Sequence, residues 1–183
     1  MAERPKFTYN PFYKETSFGA VSAVLTPVEE FREKVRTAMC LPDQGVVIEI
    51  HMPTAVNGNG NNKNKHAGIL GAFRESFTKI ASELEQWGLK PHSMVAVTHI
   101  VAAGTSKRYG FEIRKVSKRQ VDHTRLQRAR KGYKLTGRYR KAEKEGGKKR
   151  KKMGPIFACY QSFDKFMQEF GNHADFVPEG VSS

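Results

Sequence analysis

The apolar positions of this chain follow two different periods, and the switches between them mark out its elements. Gly45-Val46-Val47-Ile48-Glu49-Ile50-His51-Met52 is nearly continuous, β-branched and closed by Pro53, which reads as a strand. Leu70, Phe73, Phe77, Ile80, Leu84 and Trp87 recur every three or four residues and predict the longest helix, with Gly88 as its C-cap and Pro91 blocking continuation. Upstream, Phe18 to Leu25 is small, apolar and partly β-branched, a further strand. Thr26, Pro27 and Glu29 then have the spacing of a capping box. A helix with Val28, Phe31, Val35 and Met39 on its core face is expected there, ending at Leu41-Pro42-Asp43. Met94 to Ala102 reads as a strand, Gly104-Thr105-Ser106 as a turn, and Tyr109 to Val116 as the returning strand.

Beyond Val116 the apolar pattern fails. Thr124 to Lys131 has the form of a short basic helix capped by Thr124, and Gly132, Gly137, Gly146 and Gly147 interrupt anything longer. Order is expected to return at Pro155 to Tyr160. Ser162 then caps a last helix with Phe163, Phe166, Met167 and Phe170 on one face, stopped by Gly171-Asn172. The resulting layout is an irregular N-terminal arm (1–17), a core (18–116), a basic insertion (117–154), a strand and helix returning to the core (155–172) and a tail (173–183). The Asn- and Gly-rich run 54–66 reads as a mobile loop. The expected class is α+β: a small, mainly antiparallel sheet packed with two or three helices, plus a basic, partly disordered insertion.

Charge sharpens that division. Of a formal net +14, residues 107–152 carry 20 Lys and Arg against four acids, a net of +16, which leaves −2 for the rest. A near-neutral body with so basic a segment points to a polyanion, and to nucleic acid first. Lys148 to Lys152 are five successive cations, which repel one another until a polyanion arrives and which would serve as a nuclear localisation signal in a eukaryote. No run approaches the roughly 18 apolar residues of a membrane span, and no apolar helix face accompanies the charges, so no membrane partner is expected. The first residues lead into no apolar run, as a secretory signal would. Two cysteines without paired spacing, Cys40 and Cys159, suit a reducing, intracellular compartment, cytoplasmic or nuclear.

The candidate contacts follow from residue type. Lys107, Arg108, Arg114, Lys115, Lys118, Arg119, Arg125, Arg128, Arg130, Lys131, Arg138, Arg140, Lys148, Lys149 and Arg150 supply cations for phosphate or, for arginine, the bidentate fork that also suits guanine. Tyr109, Phe111, Tyr133 and Tyr139 are interleaved with them, and aromatic rings stack on unpaired bases. That mixture favours RNA over DNA, and single strands over duplex. Lys107-Arg108-Tyr109-Gly110-Phe111-Glu112-Ile113 resembles the sheet motif of RNA-recognition-motif domains at Lys107, Tyr109, Gly110 and Phe111. It departs from that motif at Arg108, Glu112 and Arg114, and the order of elements differs.

Enzymatic signatures are sparse. There is no phosphate-cradling Gly-rich loop ending in Lys-Ser/Thr, no Gly-x-Ser-x-Gly, and no zinc-ligand spacing among the six histidines. The segment Ile48 to Pro53, followed by a polar loop, a helix and two strands, is similar in order to small phage-type junction resolvases. Those enzymes need clustered aspartates to hold metal, whereas here no Asp lies between Asp43 and Asp122. The alternative that this likeness implies is a metal-dependent nuclease using Glu49 and His51 with Asp43 or Glu112. The main expectation is a non-enzymatic nucleic-acid-binding protein without cofactor or metal, a ribonucleoprotein component or a genome-coating factor.

Overall fold

The computed structural model describes residues 10–51, 65–135, 140–141, 151–152 and 154–171. In chain order its elements are β1 (Thr16–Ser17), β2 (Ser22–Pro27), α1 (Glu33–Ala38), β3 (Val46–His51), α2 (Lys65–Gln86), β4 (Ser93–His99), α3 (Ile100–Arg108), β5 (Glu112–Val116), α4 (His123–Leu135), β6 (Arg140–Lys141), β7 (Lys151–Lys152), β8 (Ile156–Ser162) and α5 (Phe163–Phe170). Six strands form one sheet in the order β1-β2-β3-β4-β8-β5, and β6 and β7 form a separate pair. All neighbours in the sheet are antiparallel except β3 and β4, whose crossover contains α2. The class is α+β.

Both faces of the sheet are covered, which is why β3 and β4 are buried almost throughout rather than at alternate positions. Ile48, Ile50, Met94, Ala96 and Cys159 point to one face and pack with Phe73, Phe77, Ile80 and Leu84 of α2 and Phe166, Met167 and Phe170 of α5. Burial there pushes the Cys159 thiol up to about 12, so it stays protonated. Val47, Val95, Val116, Ile156 and Ala158 point to the other face and meet Val28, Phe31, Val35 and Met39, with Val121 and Ala129 beyond them.

Several sequence expectations need correction. The apolar face at Val28, Phe31, Val35 and Met39 is core, but one helix does not carry it. Thr26 and Pro27 end β2, Val28–Glu30 make a single 3-10 turn, and Phe31 is extended before α1 starts at Glu33. Gly19, at φ +96, turns the chain ahead of β2, so that strand begins four residues later than the apolar run does. Within the expected N-terminal arm, Phe12 is fully buried, stacked on Phe18 at 5.4 Å. The run 52–64 lies outside the described residues, and Lys65 and His66 already belong to α2.

The largest correction concerns 100–111. What reads as strand, turn and strand is β4, then α3, then β5. Lys107-Arg108-Tyr109-Gly110-Phe111 is the end of a helix: Phe111 N–H donates to the Ser106 carbonyl and Gly110, at φ +78, takes the left-handed position that closes such an end. Two cations in the last turn suit the helix dipole. Tyr109 and Phe111 therefore turn inward, both nearly buried, against Phe77 at 5.4 and 5.8 Å.

β5 and β8 are antiparallel neighbours, and their register places Val116 opposite Ile156. The basic segment between them is thus the loop of one hairpin, leaving and re-entering the sheet at the same end. Its first part is structured, as the expected short basic helix implies: Val121, Arg125 and Ala129 are buried, so this part of the basic insertion packs on the body.

Because Phe111 is core, Phe111→Ala is expected to lower unfolding free energy by about 3–5 kcal/mol in urea denaturation. Tyr13→Ala, at a ring that is 71% exposed, should stay within about 0.5 kcal/mol. Equal, small effects at both positions would mean that Phe111 does not support the core.

Candidate nucleic-acid interface

The basic segment is fastened to the sheet by one arginine. Asp122 caps α4 by accepting the Arg125 N–H at 3.0 Å, the role that the sequence suggested for Thr124. Arg125 then turns into the body. Its Nε and Nη2 donate to the two Glu49 carboxylate oxygens at 2.8 and 2.6 Å, and its Nη1 donates to Asp122 Oδ2 at 2.8 Å and to the Glu30 carbonyl at 3.3 Å. The guanidinium lies 3.8 Å from the centre of the Phe31 ring. Burial alone would raise the pKa of Glu49. The His51 and Arg125 groups beside it outweigh that and bring it down to about 2. Asp122 is also held low, against its burial, by Arg125.

Arg125 was expected to contact nucleic acid; at 7% exposure, with its donors committed to Glu49 and Asp122, it is a structural residue instead. Three residues on, Arg128 is only half-buried. Its Nη1 is 2.7 Å from His51 Nε2 and its Nη2 is 3.2 Å from Glu15 Oε2. Arg130 and Lys131 complete this stretch of α4 and are exposed. At the edge of the sheet, Lys107 and Arg108 at the end of α3, Arg114 and Lys115 on β5, and Lys118 and Arg119 in the following 3-10 turn are exposed as well. Lys107 and Arg114 rim an open cleft of about 490 Å³ along β5.

The expected stacking rings divide. Tyr109 and Phe111 belong to the core and are withdrawn as base contacts; Tyr133 lies in the last part of α4. Arg138, Tyr139, Lys148, Lys149 and Arg150 lie outside the described residues. Arg140 is in β6, opposite Lys152, with Lys141 opposite Lys151, so all four residues of this two-rung ladder are cations.

The acidic residues named for a metal-dependent nuclease do not assemble. Glu49 and His51 are adjacent on one face of β3, with Oε1 and Nε2 3.2 Å apart. Asp43 precedes the opposite end of that strand, and Glu112 lies on β5, three strands away, where it accepts from Tyr160 Oη at 2.5 Å. Among the described residues no three His, Cys, Asp or Glu side chains are grouped to hold a metal ion, and no helix is long and apolar enough to cross a membrane.

Two residues went unnoticed in the sequence. Glu15 meets His51 and Arg128, and Ser22 is paired directly with His51 across β2 and β3. Only strand register brings them together. Asp122, taken by sequence only as one of the four acids of the basic segment, has a local signal: an Asp three residues ahead of an Arg is an N-cap and an ion-pair spacing at once.

Removing one partner of the buried pair strands the other charge. Glu49→Gln is therefore expected to cost about 3–5 kcal/mol at neutral pH. A carboxylate held at about 2 against an ordinary 4.5 contributes stability above pH 4.5 that is lost as pH falls through 2, on the order of 3 kcal/mol. The gap between wild type and Glu49→Gln in chemical denaturation should accordingly narrow from pH 5 to pH 2; a constant gap would show that the pair does not titrate with folding.

Comparison with protein-family models, with curated proteins and with solved structures found no match, so the functional reading rests on the chemistry of these residues.

Proposed function

We propose that this chain is a nucleic-acid-binding protein whose binding segment is the cationic loop of the β5–β8 hairpin, rooted by α4. The observation that carries this reading is the β6–β7 ladder. Like charges placed directly across a strand pair are destabilising, yet both rungs here consist of two cations. A polyphosphate supplies counter-charge to such a ladder. Exposed Arg130 and Lys131, with half-exposed Arg128, extend the same charge onto a rigid helix.

Single-stranded RNA is the favoured target. Tyr133 and Tyr139 stand among the cations as stacking candidates, and nine of the 20 cations in 107–152 are arginines. The role is that of an intracellular ribonucleoprotein component or genome-coating factor, without a catalytic step.

The test replaces 136–153 by a neutral Gly-Ser linker. It leaves 117–135 in place because Val121, Arg125 and Ala129 are buried, and it removes nine cations. Fluorescence anisotropy with single-stranded RNA, single-stranded DNA and duplex DNA over a salt series reads the result. Every phosphate of a single strand that is no longer neutralised should lower the slope of log K on log salt by about 0.7, so the variant should fall by several units of slope. Arg130→Ala and Lys131→Ala should each lower it by about one phosphate's share, irrespective of sequence. Unchanged affinity and slope in the linker variant would overturn the reading.

A further inference from the structure

At the root of the basic segment three donors converge on one carboxylate. Ser22 Oγ donates to Glu15 Oε1 at 2.6 Å, His51 Nδ1 lies 2.9 Å from the same oxygen, and Arg128 Nη2 donates to Glu15 Oε2 at 3.2 Å. Arg128 has only donors, so His51 Nε2 accepts from its Nη1 at 2.7 Å and the ring hydrogen belongs on Nδ1, toward Glu15. We propose that Ser22, His51 and Arg128 form a receptor for one phosphate group, in which the Glu15 carboxylate is the resident anion of the free protein. Phosphate as such is argued from this geometry; a bound strand as its source rests on the nucleic-acid reading above.

Four observations support a replaceable occupant. The Glu15 side chain is 44% exposed, whereas that of His51 is 11% exposed, so the anion can swing to solvent while the imidazole stays. The fit of the carboxylate is incomplete: His51 Nδ1 is buried and close to Glu15, yet finds no aligned hydrogen-bond acceptor. Ser22 and His51 share the one oxygen Oε1 of the carboxylate, whereas a phosphate group has an oxygen for each of the three donors. Beside the site a cleft of about 320 Å³, lined by Val97, Thr98, His99, Ala129 and Lys131 among others, provides room for what a phosphate ester carries and one more exposed cation.

The local charge agrees. Glu49 lies beneath, 3.2 Å from His51 and 3.8 Å from Arg128, but Arg125 is its closer, bidentate partner. With Asp122 also committed to Arg125, Glu15 is the carboxylate nearest to the Arg128 charge. When Glu15 leaves, that charge is open to an incoming phosphate.

The experiment is isothermal titration of inorganic phosphate into the full chain, beside Glu15→Ala, Glu15→Gln and Glu15→Ala combined with Arg128→Ala. Thermal melts establish that each is folded, and Glu15→Gln carries the measurement if the alanine variant is not. Removing the resident charge should tighten phosphate binding at least tenfold, and adding Arg128→Ala should abolish the gain. Equal phosphate affinity in wild type and both Glu15 variants would overturn the proposal. Single strands with and without a 5′-phosphate then separate the sources. A gain confined to phosphorylated ends assigns the site to a terminal phosphate, and an equal gain for both assigns it to the backbone. Should no variant bind any strand while inorganic phosphate still responds to Glu15, the receptor stands and the nucleic-acid reading fails.

Discussion

Arg125 is where a polycationic segment becomes part of a folded body, and the electrostatics of that one side chain set the terms for its neighbours. A guanidinium taken out of water loses hydration worth several kcal/mol, and only close, well-aligned partners offset the loss. Glu49 provides them from β3, Asp122 from the cap of α4, and Phe31 offers a ring face. The pair thereby fixes which face of α4 meets the sheet and hence which residues are turned away from it. Rotating α4 by one position would leave Glu49 buried without its partner.

The cations consequently divide by depth rather than by type. Arg125 is interior and electrically balanced, Arg128 straddles the boundary with one hand on His51 and the other on Glu15, and Arg130 and Lys131 face solvent. Within a few positions of sequence the same chemistry passes from structural support to exposed charge. The hairpin frame reinforces this, because Val116 and Ile156 hold both ends of the segment at one end of the sheet. A polyanion bound to the segment would therefore lie against the sheet end where β3, β4 and α4 also meet.

Much of the fold was legible in the chain because local signals and tertiary context agreed there. The β3 run, the α2 stripe of Phe73, Phe77, Ile80 and Leu84, the Gly88 stop and the Ser162 cap all appear where pattern placed them. The failures share a cause. Ile100 to Val116 mixes small, β-branched, aromatic and charged residues without a clear period, a composition that suits strand or helix. What decides it is the Tyr109-Gly110 helix end, whose aromatic then drops into the core beside Phe77. An aromatic flanked by cations looks like a stacking residue in one dimension, but burial is a property of three. The inward turn of Arg125 was hidden for a related reason: the Asp122 spacing points to a local ion pair, but the Glu49 partner that draws the side chain into the body lies 76 positions away. The Glu15, Ser22 and His51 grouping depends on the register of β1, β2 and β3, to which periodicity is blind.

The position of β8 in the sheet has a consequence for how the molecule is made. This strand lies between β4 and β5, pairing with both, yet it follows the entire basic segment in the chain. During synthesis β4 and β5 emerge first, and only when β8 arrives between them does β5 join the sheet. The β8–β5 side of the sheet therefore closes last, through contacts of long sequence separation, which is the slow kind. In the interval the polycation is already outside the ribosome while the apolar edge of β4 is still open. A nascent chain of this design displays its polycation before it has finished folding, so the order in which segments emerge, not only the finished surface, decides when that charge is first exposed.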